Sequence, residues 1–169
     1  MLVRRFAVAS TLIAVGAVFA TPAMADTINL SGSVASISTV TSTATSNASN
    51  LNLYGAGTAG TDTVVQVADL ALTTNNKQGI TVTATANGPL TSGVNGDSMP
   101  YQVLIVGDAA AQPTATSFTS TTASASVPVG VGGFVNGAAD RDLYIEYDAP
   151  QLLDPGSYTS SITVTIADN

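Results

Sequence analysis

The sequence of 169 residues contains no cysteine, no histidine and no tryptophan, and only 9% of it is charged, against about 25% in ordinary soluble proteins. Each absence excludes a class of chemistry. Without histidine there is no Ser-His-Asp triad, no imidazole metal ligand and no proton shuttle at neutral pH. Without cysteine there is no thiolate nucleophile, zinc knuckle, iron–sulfur cluster or disulfide framework. Lys and Arg number 4 against 11 Asp and Glu. That is too few cations to neutralise a phosphate backbone, so nucleic acid is not an expected partner.

What is present begins with an export pattern. Arg4 and Arg5 precede an uncharged apolar stretch, Phe6 to Ala20, which ends in Thr21-Pro22-Ala23-Met24-Ala25. Small residues occupy the two positions a signal peptidase reads, so residues 1–25 read as a signal peptide cleaved before Asp26. A membrane anchor is the alternative, but a span needs about 20 apolar residues. The exported chain would keep Lys77 and Arg141 as its only cations and all eleven acids, a net charge of −9. A single domain of that size can bury close to ~70% of its unfolded surface, enough for a core without staples.

Ser and Thr alternate with Val, Ile, Leu and Ala along most of this chain, the period of a half-buried strand. Gly79-Ile80-Thr81-Val82-Thr83-Ala84-Thr85-Ala86 is the clearest case, and Tyr158 through Ile166 repeats it. Further strands are expected at 27–38, 50–54, 63–72, 100–107 and 142–148, with weaker candidates near 115–119 and 123–131. Asn87-Gly88-Pro89, Asn95-Gly96-Asp97, Asn136-Gly137 and Asp154-Pro155-Gly156 supply turn chemistry between them. No helical periodicity competes. The expected fold is all-β: a single antiparallel immunoglobulin-like β-sandwich following the cleaved signal peptide, with a closed barrel as the alternative.

Candidate chemical sites are few. Asp140-Arg141-Asp142 with Glu146 is the densest charge cluster, but it lacks the spacing of a calcium loop and reads as a solvated turn entering a strand. A glycosidase needs two placed carboxylates, and one Glu without Trp argues poorly for it. Gly55-Ala56-Gly57-Thr58-Ala59-Gly60 has no following helix or lysine and reads as a flexible hairpin. Tyr54, Tyr101, Tyr144, Tyr147 and Tyr158 could stack a ligand, yet strand tyrosines more often form a core rim with the hydroxyl in water. No enzyme activity, cofactor, metal or small-molecule substrate is expected.

One feature suggests function. Right after the cleavage site, Ile28, Leu30, Gly32 and Val34 alternate with small polar residues. Chain ends fray unless tied into a sheet. This segment is either the first strand of its own sandwich or a strand donated to the sheet of another subunit.

The segment Ile28-Asn29-Leu30-Ser31-Gly32-Ser33-Val34 resembles the N-terminal extension of chaperone–usher pilins, with a glycine in phase with the apolar residues. Thr74 through Val82, and on to Met99-Pro100-Tyr101-Gln102-Val103, resembles the central strands of fimbrial subunits and spore-coat-U-like secreted domains. Asp154-Pro155-Gly156-Ser157-Tyr158 through Ile166 is similar to their last strand. Since no cysteine is present, the likeness is to the Cys-free, colonisation-factor-like branch. The resemblance implies three parts: a signal peptide (1–25), a donor-type strand (26–38) and a sandwich domain (39–169). It implies a structural subunit exported through the periplasm to the cell surface, where it polymerises by donor-strand complementation and supports adhesion or biofilm. Ile28, Leu30, Gly32 and Val34 would form the donor strand. Tyr158, Ile162, Val164 and Ile166 would line the groove that a periplasmic chaperone fills first, before exchange at an outer-membrane usher. A self-complete secreted or surface sandwich (a matrix, coat or S-layer component) is the competing expectation, and a carbohydrate-binding module a weaker one.

Overall fold

Alternating Thr and aliphatic residues form strands here wherever a partner strand lies alongside. The computed structural model describes residues 27–53, 62–94, 96–127, 138–148 and 153–169. Ten strands occur among them: β1 (Ser38–Ala44), β2 (Asp62–Thr74), β3 (Ile80–Ala86), β4 (Leu90–Ser92), β5 (Ser98–Met99), β6 (Gln102–Gly107), β7 (Thr122–Val127), β8 (Ala138–Asp148), β9 (Tyr158–Thr159) and β10 (Ile162–Asp168). Every pairing is antiparallel. Sheet A has the order β1-β2-β8-β6, sheet B the order β10-β3-β7, and a small third sheet the order β5-β4-β9. The fold is an all-β antiparallel sandwich, as expected.

The chain divides between Ser33 and Val34 into two units. Residues 27–33 of the first form neither strand nor helix, and Ile28 and Leu30 are exposed. In the second, the core lies between sheets A and B. Leu70 and Leu72 of β2 and Leu143, Ile145 and Tyr147 of β8 meet Ile80, Val82 and Ala84 of β3, all buried. β2 breaks strict alternation at two bulges, Gln66/Ala68 and Leu70/Leu72. The first turns Val67 and Ala68 inward together, the local effect of one extra residue in a strand. The turn from β2 to β3, which carries the chain from sheet A to sheet B, closes on side-chain chemistry. Asn76 Oδ1 accepts from the Gln78 N–H, and Gly79 takes a φ of +87°, which only glycine adopts freely.

The outer face of sheet B is a register of hydroxyls. Burial of Ile80, Val82 and Ala84 turns Thr81, Thr83 and Thr85 outward. They align in rows with the neighbouring strands: Thr163–Thr85–Thr122, Thr165–Thr83–Ser124 and Ala167–Thr81–Ser126. Charge is concentrated elsewhere, with Asp62, Asp69, Asp140, Arg141, Asp142, Glu146 and Asp148 on the strands of sheet A and Asp168 alone on those of sheet B.

Several expectations change. Residues 27–37 are not a strand: the backbone bonds at Ala35 and Ile37 go to Asn75 and build no ladder, and the first strand begins at Ser38. Residues 50–53 form no strand, yet Leu51 and Leu53 pack against the core. Ala115–Ser117 is a 3-10 turn, not part of a strand at 115–119. Asp140-Arg141-Asp142 lies within β8 and not in a turn, with Asp142 only 5% exposed. The signal peptide, Tyr54, Gly55–Gly60, Asn95, Asn136-Gly137 and the end of 123–131 lie outside the described residues.

Candidate functional site

Among the described residues, both sheets end on one side of the sandwich in an open edge, β1 for sheet A and β10 for sheet B. Hydrogen bonds fix which backbone groups those edges expose. Ser161 C=O accepts from the Asn87 N–H at 2.9 Å, and the Asn169 N–H donates to Gly79 C=O at 3.1 Å. Bonded pairs alternate with non-bonded ones along an antiparallel ladder. The odd positions of β10 therefore bond β3, and Ile162, Val164, Ile166 and Asp168 turn their N–H and C=O groups away from it. On β1, the Asn75 N–H to Ile37 C=O bond (3.0 Å) and the Thr45 N–H to Val67 C=O bond (2.9 Å) set the same phase. Ser38, Val40, Ser42 and Ala44 turn their backbone groups to the same open side.

Between these edges lies an apolar cleft of about 360 Å³. Its cause is compositional. The cleft-facing positions of β1 are Val40, Ser42 and Ala44, and only one of them is a branched aliphatic. Such a column cannot fill the space opposite Ile162 and Val164, which stay half-buried. The floor is core: Val67, Ala68, Leu143 and Ile145. An adjoining hollow of about 290 Å³ shares Leu51, Leu90 and Ser160 with the cleft and continues to Tyr158.

One end is fastened. Ser36 and Ser38 donate through their hydroxyls to the two carboxylate oxygens of Asp168. Those bonds, Ser36 first, hold its carboxyl below the usual range. Asn75 secures the same segment, accepting from the Ile37 N–H at 2.7 Å and donating to Ala35 C=O at 2.7 Å. Val34 lies just before this clamp and is 86% exposed.

The expected site residues are thus placed as follows. Tyr158, Ile162 and Val164 line the cleft and its continuation, while Ile166 packs against the core outside the cleft lining. Ile28, Leu30 and Val34 are all exposed, and a Cβ built on Gly32 meets nothing within 4 Å. Sequence reading missed the β1 wall of the cleft. Its signal was faint: Ser38-Thr39-Val40-Thr41-Ser42-Thr43-Ala44 has a single aliphatic β-former.

Three of the four described tyrosines do not form the expected wet rim, and the fourth, Tyr158, is half-buried with its hydroxyl donating to Asp97 and to Asp154 C=O. Tyr101, Tyr144 and Tyr147 are buried. Tyr101 Oη donates to Ser161 C=O at 3.0 Å and Tyr147 Oη to Asn52 C=O at 3.1 Å. Burial raises the Tyr147 phenol, partly countered by that backbone bond. Among the described residues no group of three or more acids could hold a metal ion, and no helix is long and apolar enough to cross a membrane. No protein-family model matches the chain, and no curated protein matches it.

Proposed function

We propose that the chain is a structural subunit of a surface fimbria or pilus, and that it polymerises when residues 27–34 of one copy enter the β1–β10 cleft of the next. The observation that carries this reading is the pairing of an unfilled apolar cleft between two open edges with an exposed, alternating apolar segment on the same chain. Ile28, Leu30 and Val34 would bury their side chains in the cleft, and Gly32 would let the two backbones approach closely. Three buried aliphatic side chains contribute about 5–9 kcal/mol gross. That is comparable to the roughly 4–15 kcal/mol that association costs, so main-chain pairing along β10 has to supply the surplus. Before assembly a periplasmic chaperone would cover the cleft along Tyr158 to Ile166, and an outer-membrane usher would be the place of exchange. The polar outer faces suit a solvated fibre, and the adhesion or biofilm role belongs to the same reading.

The second reading is a self-complete secreted sandwich in which residues 27–34 fold back into their own cleft. It is favoured by the clamp on residues 35–38, which already ties this segment to its own body. Shearing producing cells and running the extract unboiled and boiled separates the two. A ladder that collapses to one band on boiling supports the polymer. A monomer in both lanes contradicts it and leaves the self-complete sandwich.

A further inference from the structure

The hydroxyl face of sheet B is unlike any other surface described here. Eight of its nine register positions carry a hydroxyl and the ninth is Ala167. An Asn87–Ser161 pair adds a row at one end and Asn169 another at the other. Thr83 and Ser124 bond each other at 2.9 Å, and Thr81, Thr122, Thr163 and Thr165 donate to Asn169, Thr85, Asn87 and the Thr83 C=O, but a hydroxyl has two acceptor sites besides its donor, so the array keeps acceptor capacity for an outside partner. The one acid on its strands, Asp168, turns its carboxylate to Ser36 and Ser38.

We infer that this face is a lateral contact surface whose occupant is the same face of a second copy, packing fibres side by side; this rests on the fibre reading above. Charge selects the occupant. Two copies meeting through sheet A would bring carboxylate against carboxylate. Two meeting through sheet B would bring together only hydroxyls, amides and Thr methyl groups. The acids of sheet A stand behind by at least the sheet-to-sheet spacing of ~10 Å, beyond the screening length of ~8 Å at physiological salt. Size selects the context. The face measures roughly 26 by 14 Å from strand rise and spacing, or about 400 Å² per copy, half the ~800 Å² of a stable interface. One pair of subunits therefore holds only weakly, whereas contacts repeated along two polymers add as linked sites do.

The test uses sheared fibres of the full-length gene product. They are compared by low-speed sedimentation and negative-stain microscopy at 150 mM and 10 mM salt, where screening lengths are about 8 and 30 Å. Wild-type fibres should bundle at the higher salt and separate at the lower. Thr83→Glu with Thr165→Glu should cut the sedimenting fraction at least fivefold at 150 mM salt. Thr41→Glu, on the exposed side of β1, should leave it unchanged. The unboiled ladder must persist in all three, which separates loss of bundling from loss of polymer. Bundling untouched by the paired Glu variant overturns the inference, as does a wild type that stays single at both salts. Retention on cellulose lost in the paired variant while bundles persist would make a polysaccharide the occupant and equally overturn it. Should wild type give no ladder, the fibre reading fails on its own. The face is then judged by sedimentation of the concentrated monomer: weak self-association abolished by the Glu pair supports the contact, and none contradicts it.

Discussion

Asp168 brings the start of the folded unit to its end, since its carboxylate holds Ser36 and Ser38. Those hydrogen bonds lower its folded pKa below the unfolded value. The stability it supplies is therefore complete above the unfolded pKa and lost as pH falls through the folded one. Asp168→Asn at neutral pH, or acid in the wild type, should speed hydrogen exchange at the Ile37 and Asn75 amides while core amides stay protected. Asp142 and Glu146 have the opposite sign. Burial first, then Asp108 and Asp69, raises Asp142; burial first, then Asp62 and Asp148, raises Glu146. Their cost to folding is full above the folded pKa and relieved as pH falls towards the unfolded value. Asp142→Asn should raise the melting temperature at neutral pH, with the gain shrinking in acid; a gain independent of pH would contradict this assignment. None of this was legible in the sequence, where Asp140-Arg141-Asp142 looked like a solvated turn. Its place in β8 is set by pairing of Asp142 with Asp69 and Val106, contacts no local pattern encodes.

At the scale of elements, strands with a clear aliphatic column were legible: β3 and β6 fall where the pattern places them and β2 does so despite its two bulges, whereas β8 starts four residues before the expected 142 and the single strand expected over Tyr158–Ile166 is split between β9 and β10, in different sheets. β1 was not legible, because its hydroxyl-rich face carries almost no hydrophobic signal and the strand exists by pairing with β2. Residues 27–37 fail in the other direction. Their pattern is that of a strand, but inside one subunit they pair with nothing as a strand. This mismatch separates intrinsic pattern from available partner, and it is what a donated strand predicts. Gly32→Val should leave the unfolding free energy of the monomer within about 0.5 kcal/mol of wild type, as expected away from any packed contact, yet weaken the unboiled ladder. Leu30→Asp should abolish the ladder with the same unchanged monomer. Core positions behave differently. Leu70 is fully buried, and Leu70→Ala should cost about 2–5 kcal/mol in denaturant unfolding.

Across the whole molecule, the missing histidine, cysteine and tryptophan leave a protein whose distinguishing features are edges and faces. Among the described residues, one side of the sandwich has two open edges over an unfilled cleft, one sheet carries most of the strand acids, and the other offers hydroxyls in register. The sandwich itself followed from strand count and turn spacing. The cleft did not, because it arises from what β1 fails to fill opposite β10, a property of two strands more than 100 residues apart. The chain has no native cysteine, which makes a cross-link across that cleft unambiguous. Val164→Cys is combined in turn with Ile28→Cys, Leu30→Cys and Val34→Cys, and surface material is oxidised and run boiled without reductant. Donor-strand assembly predicts that at least one pair yields a covalent ladder of multiples that reductant collapses to a single band. Monomer in every lane, whether unlinked or closed within one chain, would contradict it.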